Sequence, residues 1–215
     1  MSLRSKLPST ASVVVQSGDG RLSAPAAEKN AGPITKLVEE FAPDKGLALE
    51  IASGTGQHIV KLAVVKPNLN WQPSDIDPIR IASIETWCKD YNLANVRPPI
   101  ILNATEIGWS SKFTRQKFIF LVNLFHLISE EEATILISEI SAALALGGRS
   151  IIYGPFKRNN KLTSAGDQTF HHSLIEADPQ IGYKNDAWMT AKFKEEKLGL
   201  LKVVPMPANN LAFVC

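Results

Sequence analysis

The chain has 215 residues, of which 45% are hydrophobic and 20% are charged, and its formal net charge at pH 7 is +2. These values predict one globular domain with a full core, with two small domains as the alternative, and they argue against the clustered basic face of a nucleic-acid-binding protein. The two cysteines, Cys88 and Cys215, are too few and too far apart for a disulfide framework, and no CxxC pair points to a metal. We therefore expect no nucleic-acid partner, no metal, and a reducing, cytoplasmic location.

Residues 1–22 are expected to form a flexible tail, with an added outer strand as the alternative. They are rich in serine and carry Arg4, Lys6 and Arg21 but only one acid, Asp19, which is a weak likeness to a transit peptide. Their apolar run is too short for a signal peptide, and no run in the chain approaches the ~18 residues of a membrane span. The domain proper is expected to cover residues 23–215, without a membrane partner.

From residue 23 onward, helical and strand patterns alternate along the chain. Apolar residues at helical spacing predict a first helix that begins near Pro25 and ends at Phe41, before Pro43 and Gly46. The following segments are predicted in order: strand 47–52, helix 56–65, strand 71–74, helix 77–91, strands 99–102 and 117–124, helix 129–146, strand 149–153, helices near 168–176 and 186–198, and strands 200–204 and 211–214.

Local signals and connection lengths set the fold class. Asp77 followed by Pro78 is a helix start, and Ser129 with the glutamates behind it is a capping box whose helix is expected to end at Gly147. Strands separated by helices predict βαβ units in a parallel sheet, while the short link between the last two strands favours an antiparallel pair. The sequence therefore predicts a doubly wound α/β sheet with one antiparallel strand near the C-terminus and residues 155–198 as an inserted lid.

The stretch LALEIASGTGQH, residues 47–58, ends the first strand of this sheet in a turn of small residues. A dinucleotide fingerprint aligned on Gly54 and Gly56 would place Ile59 at its third small position, where a branched side chain would push the helix off the strand. The P-loop pattern fails as well, because no Gly-Lys-Ser/Thr follows.

An S-adenosylmethionine site fits the same stretch better. Its pattern is an apolar strand, an acid, and small residues at alternate positions, here Glu50, Ala52, Gly54 and Gly56. The glycines allow the backbone to approach a ligand, and the acid can meet the cationic amino group of the ligand. NAD or another nucleotide, and a purely structural turn, remain alternatives.

Polar residues also end the next three strands. Asp75 follows Gly56 by about 20 residues, the distance at which an acid reaches ribose hydroxyls and repels a 2′-phosphate. Asn103 can exchange hydrogen bonds with an adenine edge, and Asn123 and His126 follow the fourth strand. Because the carboxyl ends of parallel strands meet at one edge of the sheet, these side chains are predicted to line one adenosine pocket.

Several motifs resemble those of the methyltransferase-like 26 type, a family with a class I S-adenosylmethionine-dependent methyltransferase fold. The resemblance covers residues 24–215. Its motifs, in chain order, are AAEKN with PI, LEIASGTGQH, WQPSD, YGPF and MPANN. It implies a seven-stranded sheet, a cofactor site at residues 50–56 that includes Ser53, further cofactor contacts at Asp75, Asn103 and Ala104, and no particular substrate. The sequence departs from the family at Asn103, where an Asp is usual, and across residues 160–185.

The acceptor side of the pocket is predicted from residues that flank these strands. Tyr153 and Phe156 can form an aromatic wall, and the resemblance implies that Glu28 and Asn30 close over the pocket. His58, in the first turn after the glycine loop, is expected to be neutral because the helix dipole disfavours its charge, and to line the cofactor site.

Methyl transfer depends mainly on positioning, which can contribute ~7–11 kcal/mol, so a general base is optional. His126 is the leading candidate for a base, with a loop histidine bonded to backbone as the alternative. Asn123 can orient the substrate or only satisfy the backbone.

These observations predict S-adenosylmethionine-dependent methyl transfer to a small molecule, with S-adenosylhomocysteine as the product. One alternative is a non-catalytic module of the same fold that acts through a partner, which the altered residues 160–185 suggest. The other is a nucleotide-dependent oxidoreductase. The sequence leaves the oligomeric state open.

Overall fold

The computed structural model describes residues 13–215 as an α/β fold of nine strands and six helices. The strands are β1 Val15–Gln16, β2 Leu22–Ser23, β3 Gly46–Ile51, β4 Leu69–Asp75, β5 Ile100–Ile101, β6 Gln116–Val122, β7 Leu144–Pro155, β8 Lys202–Pro205 and β9 Asn210–Val214. The helices are α1 Pro25–Phe41, α2 Gln57–Val65, α3 Pro78–Tyr91, α4 Glu130–Ala143, α5 Ala165–Ala177 and α6 Asp186–Glu195.

Seven of the strands form one sheet in the order β5-β4-β3-β6-β7-β9-β8. Strands β3 to β7 are parallel, whereas β9 runs antiparallel to both of its neighbours. The predicted doubly wound sheet with one reversed strand near the C-terminus is therefore confirmed. The chain moves outward from β3 to β5 and then returns to β6, which creates a topological switch point between β3 and β6.

Helices cover both faces of the sheet, and β6 shows how its sequence serves both. Phe118 and Phe120 pack into the cluster beneath α1, α2 and α3, while Ile119 and Leu121 pack into the cluster beneath α4 and α6. Successive side chains of a strand point to opposite faces, so a continuous apolar run fits a strand that is buried on both sides. Because helices cover both faces of the sheet, a ligand can reach the strands only at their ends.

The predicted helix starts are confirmed, but the predicted end of α4 is wrong. Asp77 accepts a hydrogen bond from the backbone of Ile79 at 2.8 Å, and Ser129 forms a complete capping box with Glu132. Helix α4 ends at Ala143 rather than near Gly147, because Leu144 already pairs with β6 at an irregular point of the register. Strand pairing thus overrides the helical propensity of the following Leu-Ala-Leu segment.

The N-terminal hairpin of β1 and β2 packs against α3. The backbone N–H of Leu22 donates to Oγ of Ser83 at 2.8 Å, and Nε1 of Trp87 donates to the carbonyl of Leu22 at 2.9 Å. Arg21 lies 5.2 Å from the centre of the Trp87 ring and forms an ion pair with Asp90. Of the expected tail, residues 1–12 lie outside the described part of the chain, and residues 15–23 contain this hairpin.

Residues 155–198 cross the carboxyl edge of the sheet. A small apolar cluster joins this segment to the chain after β6, with Leu127 on one side and Leu174, Ile181 and Tyr183 on the other. The segment therefore covers the edge at which the strands β3 to β6 end. Within residues 13–215, no helix has both the length and the apolarity needed to cross a bilayer.

Candidate functional site

A cavity of about 640 Å³ opens at the carboxyl ends of β3, β4, β5 and β6, at the switch point of the sheet. Most of the site residues predicted from the sequence line it: Asn30, Glu50, Ala52, Ser53, Gly54, His58, Asp75, Asn103, Ala104, Asn123, His126 and Tyr153. Three others, Glu28, Gly56 and Phe156, lie outside its lining. A cavity of this size suits a small organic ligand.

Gly56 is a glycine because of helix packing rather than because of a ligand. It is the N-cap of α2 with φ of 93°, and a Cβ there would lie 2.9 Å from Cα of Ile84 and 3.2 Å from the ring of Trp87. Helix α3 therefore packs directly on this position. This contact explains the need for glycine at position 56 without a ligand, and the role of Gly56 in cofactor approach stays a prediction.

Glu28 and Phe156 are displaced from the cavity for different reasons. Glu28 is exposed on α1, two residues before the buried Asn30, and residues two apart lie on different faces of a helix. Phe156 is 1% exposed, and its ring contacts Phe213 at a centroid distance of 4.9 Å and Phe125 at 6.4 Å. It belongs to the core beneath the cavity rather than to an aromatic wall.

The loop after β3 is bound to the end of β4. The backbone of Ser53 donates to the carbonyl of Ser74 at 2.8 Å, and Oγ of Ser74 donates to the carbonyl of Glu50 at 2.8 Å. Ala52 and Gly54 both adopt left-handed backbone conformations, with φ of 53° and 60°. A non-glycine residue with such a φ is uncommon and indicates a backbone held in place by its surroundings.

Glu50 brings a carboxyl group into this wall of the cavity, with one of its two oxygens unpartnered among residues 13–215. The residue is 2% exposed, and its Oε2 makes no hydrogen bond with any described residue. Burial, with a smaller contribution from the charge of Asp75, raises the pKa of Glu50 to about 8 against the opposing hydrogen bond of Ser53. Because a buried, unpartnered carboxyl group is costly, a cationic ligand group beside it would be strongly favoured.

Asp75 serves both the loop and the cavity. Its Oδ2 accepts a hydrogen bond from the backbone of Gly54 at 2.8 Å, and its Oδ1 accepts one from the backbone of Asp77 at 3.0 Å. Burial raises the pKa of Asp75, while these two bonds and the charge of Arg80 oppose the rise. Each carboxylate oxygen can accept more than one hydrogen bond, so ribose hydroxyls can still be accommodated.

Asn103 lines the cavity, but its side chain is engaged by its own loop. Its Oδ1 accepts hydrogen bonds from the backbone and the hydroxyl of Thr105 at 3.2 and 2.8 Å, and its Nδ2 donates to Glu106 at 3.2 Å. This turn competes with the adenine contact expected from the sequence. The adjacent Ala104, whose carbonyl accepts from Trp109, completes this wall.

His58 is neutral, as the sequence predicts, although for a different main reason. Burial and, to a smaller extent, the charge of Lys61 together lower the pKa of His58 to about 4. The side chain lines the cavity at the start of α2.

His126 lines the cavity from a 3₁₀ turn after β6. It is 3% exposed, its Nδ1 has no hydrogen-bond partner among the described residues, and its ring contacts Phe170 and Tyr183 at centroid distances of 5.6 and 6.0 Å. Burial lowers the pKa of His126 to about 3, and the charge of Lys184 contributes to the shift. The imidazole is therefore neutral, and its surroundings are largely apolar.

Asn123 and Tyr153 line the cavity as well. Asn123 has φ of 57°, and its backbone N–H donates to the carbonyl of Tyr153 at 2.8 Å, so this residue turns the chain out of β6. Burial raises the pKa of Tyr153, and the side chains of Asn30 and Asn210 oppose the rise. Oδ1 of Asn30 has no hydrogen-bond partner among the described residues.

Further residues of the lining come from helix α5 and the chain after it, from the turn between β8 and β9, and from the start of β9. They are Asp167, Phe170, Tyr183, Pro207, Ala208 and Asn210. The MPANN motif predicts a turn and contributes to the family resemblance, and Asp167 falls within residues 160–185, where the sequence departs from that family. Sequence reasoning therefore gave these residues no role.

Asp167 ties the lid to that turn. Its Oδ2 accepts hydrogen bonds from the hydroxyls of Thr163 and Ser164 at 2.7 and 2.8 Å and from Nδ2 of Asn209 at 3.1 Å. Its Oδ1 accepts one from the hydroxyl of Tyr183 at 3.3 Å. Residues more than 40 positions apart are thereby held over one end of the cavity.

The described residues include no group of three or more His, Cys, Asp or Glu side chains placed to hold a metal ion. The chemistry of the cavity therefore has to be argued from its acids, amides, aromatic rings and backbone.

A comparison with protein-family models matches residues 21–215 to the DUF938 family, described as proteins of unknown function. The match covers most of the chain, so the protein belongs to this family.

Solved structures share the fold. An O-methyltransferase family protein from Burkholderia thailandensis is 15% identical with a TM-score of 0.74, covering 88% of this chain and 56% of that one. A family 2 O-methyltransferase from Planctomyces limnophilus, in complex with apigenin, is 12% identical with a TM-score of 0.72, covering 88% and 58%. CalO1, a methyltransferase of calicheamicin biosynthesis in its S-adenosylhomocysteine-bound form, is 11% identical with a TM-score of 0.68, covering 88% and 53%. The chain thus spans little more than half the length of these proteins, and the similarity establishes the fold.

Proposed function

We propose that this member of the DUF938 family transfers a methyl group from S-adenosylmethionine to a small-molecule acceptor. The observation that carries the proposal is the buried Glu50 carboxyl, unpartnered at Oε2 in the cavity wall beside Asp75. A ligand with a cationic amino group and a ribose matches these two acids. The fold shared with methyltransferases supports the same conclusion.

The glycine loop favours this ligand over a dinucleotide. A pyrophosphate is bound by free backbone N–H groups and disfavours nearby carboxylates. Here the N–H groups of Ser53, Gly54 and Gly56 are used inside the protein, by Ser74, Asp75 and Ser53 in turn. The loop is therefore poorly equipped to hold phosphates, which argues against a nucleotide-dependent oxidoreductase.

The donor would occupy the part of the cavity formed by β3, β4 and β5. Asp75 would accept hydrogen bonds from its ribose hydroxyls, Glu50 would meet its amino group, and the turn at Ala52 and Gly54 would allow close approach of the backbone. His58 and Ala104 would line the same part of the site.

The protein contributes positioning and exclusion of water. When bound, S-adenosylmethionine supplies the electrophilic methyl group and its own leaving group. Asn123, Tyr153 and His126 would then orient the acceptor opposite that methyl, beneath the lid. Correct alignment of two reactants can contribute ~7–11 kcal/mol, which makes positioning the main catalytic task of this chain.

The domain organisation follows from this assignment. Residues 23–215 form the methyltransferase-like domain, with residues 155–198 as its lid. The motifs that resemble the methyltransferase-like 26 type, including those at residues 71–75 and 206–210, support a relationship between this chain and that type.

Calorimetry with purified protein tests the donor assignment. S-adenosylhomocysteine is expected to bind, NADH is not, and Glu50→Gln is expected to weaken binding of S-adenosylhomocysteine at least ~10-fold. Asp44→Asn, which changes a fully exposed acid outside the cavity, is the matched control. Binding of NADH with no binding of S-adenosylhomocysteine would overturn the proposal, and transfer of labelled methyl to a compound in a cell extract would distinguish an enzyme from a binding module.

A further inference from the structure

We infer that the methyl acceptor is a small, largely apolar molecule with an acidic S–H or O–H group, and that it enters the cavity already ionised, without a protein base to remove its proton. This inference rests on the proposed function and concerns the acceptor end of the same cavity. It assigns His126 to the acceptor wall as a neutral contact.

The surroundings of His126 leave no place for an imidazolium. A histidine that acts as a base needs a group that stabilises its protonated ring, usually a carboxylate at the second nitrogen. Nδ1 of His126 has no such partner among residues 13–215, and the rings of Phe170 and Tyr183 pack against the imidazole. The nearest charge is a cation, Lys184, which opposes protonation.

Lys184 is fixed close to this turn of the chain. Its ammonium donates hydrogen bonds to the carbonyl of Ile128 at 2.6 Å and to that of Gly182 at 3.0 Å, and the residue is 4% exposed. The backbone of Gly182 in turn donates to the carbonyl of His126 at 3.0 Å. The charge of this buried ammonium disfavours a second positive charge on the imidazole of His126.

The other acids of this region are already occupied. Asp167 accepts four hydrogen bonds, and Glu132 is committed to the capping box of α4. Among the remaining carboxylates that line the cavity, Glu50 and Asp75 belong to the donor end. None of these carboxylates is placed to take a proton from an acceptor near His126.

The remaining titratable groups near His126 are also unsuited to this task. His171 accepts the backbone N–H of Tyr183 through Nδ1 at 3.1 Å, and burial lowers its pKa. Burial and the charge of Asp167 raise the pKa of Tyr183, so its phenol stays protonated. In the first turn of α4, Glu130 and Glu131 are exposed and do not line the cavity.

These conditions select acceptors by acidity. A thiol like that of cysteine, with a pKa of about 8.5, or a phenol with electron-withdrawing groups provides an appreciable anion population near neutral pH, whereas an aliphatic alcohol does not. The apolar part of the wall, which includes Leu127, Ile128, Phe170 and Pro207, fits a hydrophobic body behind the anionic atom.

The reaction balances without a protein base. The acceptor loses its proton to solvent before binding, and its anionic sulfur or oxygen forms the new bond to the methyl carbon. The bond between that carbon and the sulfonium sulfur breaks, its electron pair remains on the sulfur, and neutral S-adenosylhomocysteine leaves. No net charge is left beside His126.

The test uses the full-length protein with labelled S-adenosylmethionine and three sets of probe acceptors: thiophenols and phenols with graded electron-withdrawing substituents, and benzyl alcohols as matched neutral compounds. Calorimetry with S-adenosylhomocysteine precedes it. We expect methylation of the acidic probes but not of the benzyl alcohols, with a midpoint of the pH profile for kcat/KM that moves one-for-one with the pKa of the probe.

His126→Gln provides the second measurement. Its rate can fall because a contact is lost, but the shape of its pH profile is expected to follow each probe as in the unchanged protein. The inference is overturned by a limb of the profile that stays at one pH for every probe and disappears in His126→Gln, or by efficient methylation of benzyl alcohols. If the variant does not fold, the probe series alone decides.

The two levels of the argument fail separately. Protein that binds S-adenosylhomocysteine but methylates none of the thiols and phenols overturns the acceptor class and leaves the donor assignment standing. Protein that does not bind S-adenosylhomocysteine overturns both.

Discussion

The backbone N–H of Gly54 donates a 2.8 Å hydrogen bond to Oδ2 of Asp75, so the acid that ends β4 also holds the loop that follows β3. The second carboxylate oxygen holds the backbone of Asp77. The side chain of Asp75 therefore positions two walls of the cavity. Any ligand that binds Asp75 meets a loop after β3 that is already in position.

Replacing Asp75 by Asn should uncouple the two walls. An amide has only one acceptor oxygen, so either Gly54 or Asp77 loses its hydrogen-bond partner. We expect S-adenosylhomocysteine to bind at least ~10-fold more weakly, and the Gly54 amide to exchange faster with deuterium. Asp77→Asn is the control, because Asn is an equally good helix cap. Unchanged exchange at Gly54 in Asp75→Asn would contradict the coupling.

Glu50→Gln should stabilise the protein in alkaline solution while impairing ligand binding. The folded-state pKa of Glu50 is raised by burial from 4.5 to about 8, so the folded protein holds a proton that the unfolded chain releases. Stability is therefore lost as the pH rises between these two values, and the loss amounts to on the order of 4 kcal/mol by pH 8.

Thermal unfolding between pH 5 and pH 9 measures this effect. The melting temperature of the variant should rise relative to that of the original protein as the pH increases toward 8. The original protein should also release a proton to buffer when it binds S-adenosylhomocysteine at pH 7. Melting temperatures that change in parallel for the two proteins would show that Glu50 is ionised in the folded state.

Alanine at Gly54 and at Gly56 should separate binding from folding. At Gly56, a Cβ would lie 2.9 Å from the backbone of Ile84, so Gly56→Ala should lower the free energy of unfolding by roughly 2 kcal/mol or more. At Gly54, the nearest atom is the end of the Arg80 side chain at 3.2 Å, which can shift. Gly54→Ala should therefore fold better than Gly56→Ala but lose most of its affinity for S-adenosylhomocysteine.

Urea unfolding and calorimetry on the same two variants provide the measurement. A Gly56→Ala protein as stable as the original would refute the packing role assigned to this glycine.

Asp167→Asn should loosen the lid. Burial acts to raise the pKa of Asp167, but hydrogen bonds from Thr163, Ser164, Asn209 and Tyr183 outweigh it, and the net pKa lies below 3.8. The stabilisation is therefore present above pH 3.8 and is lost as the pH falls through the folded-state pKa. We expect the variant to be ~1–3 kcal/mol less stable at pH 7 and the difference to shrink near pH 3.

Urea unfolding at the two pH values, with hydrogen exchange over residues 163–185, checks this prediction. Asp44→Asn serves as the control for loss of a negative charge. A difference that is the same at both pH values would mean that the carboxylate is not the group that holds the lid.

The sequence predicted the features that depend on local order along the chain. Chain order alone brings Glu50, Asp75 and Asn123 to one edge of the sheet, because parallel strands share that edge. The reversed last strand followed from the shortness of the link at residues 205–210, and the start of α3 followed from Asp77.

The features that the sequence did not reveal depend on side-chain geometry and on contacts between distant segments. Nothing near Gly56 reveals that Ile84 will pack on it, and nothing near Phe156 reveals the ring of Phe213. Asn103 was assigned to a ligand because its competing turn with Thr105 is a matter of side-chain geometry. Asp167 meets Asn209 only after the lid has folded over the sheet.

The reversed strand has a consequence for how such proteins diversify. Because β9 returns to lie beside β7, the turn that contains Pro207 and Ala208 reaches the same end of the cavity as His126. The donor wall is encoded before residue 105, and most of the acceptor wall is encoded after residue 122. Under the proposed function, exchange of the later part between relatives would change what is methylated and preserve the methyl source, so that new substrates could evolve without the donor pocket being rebuilt.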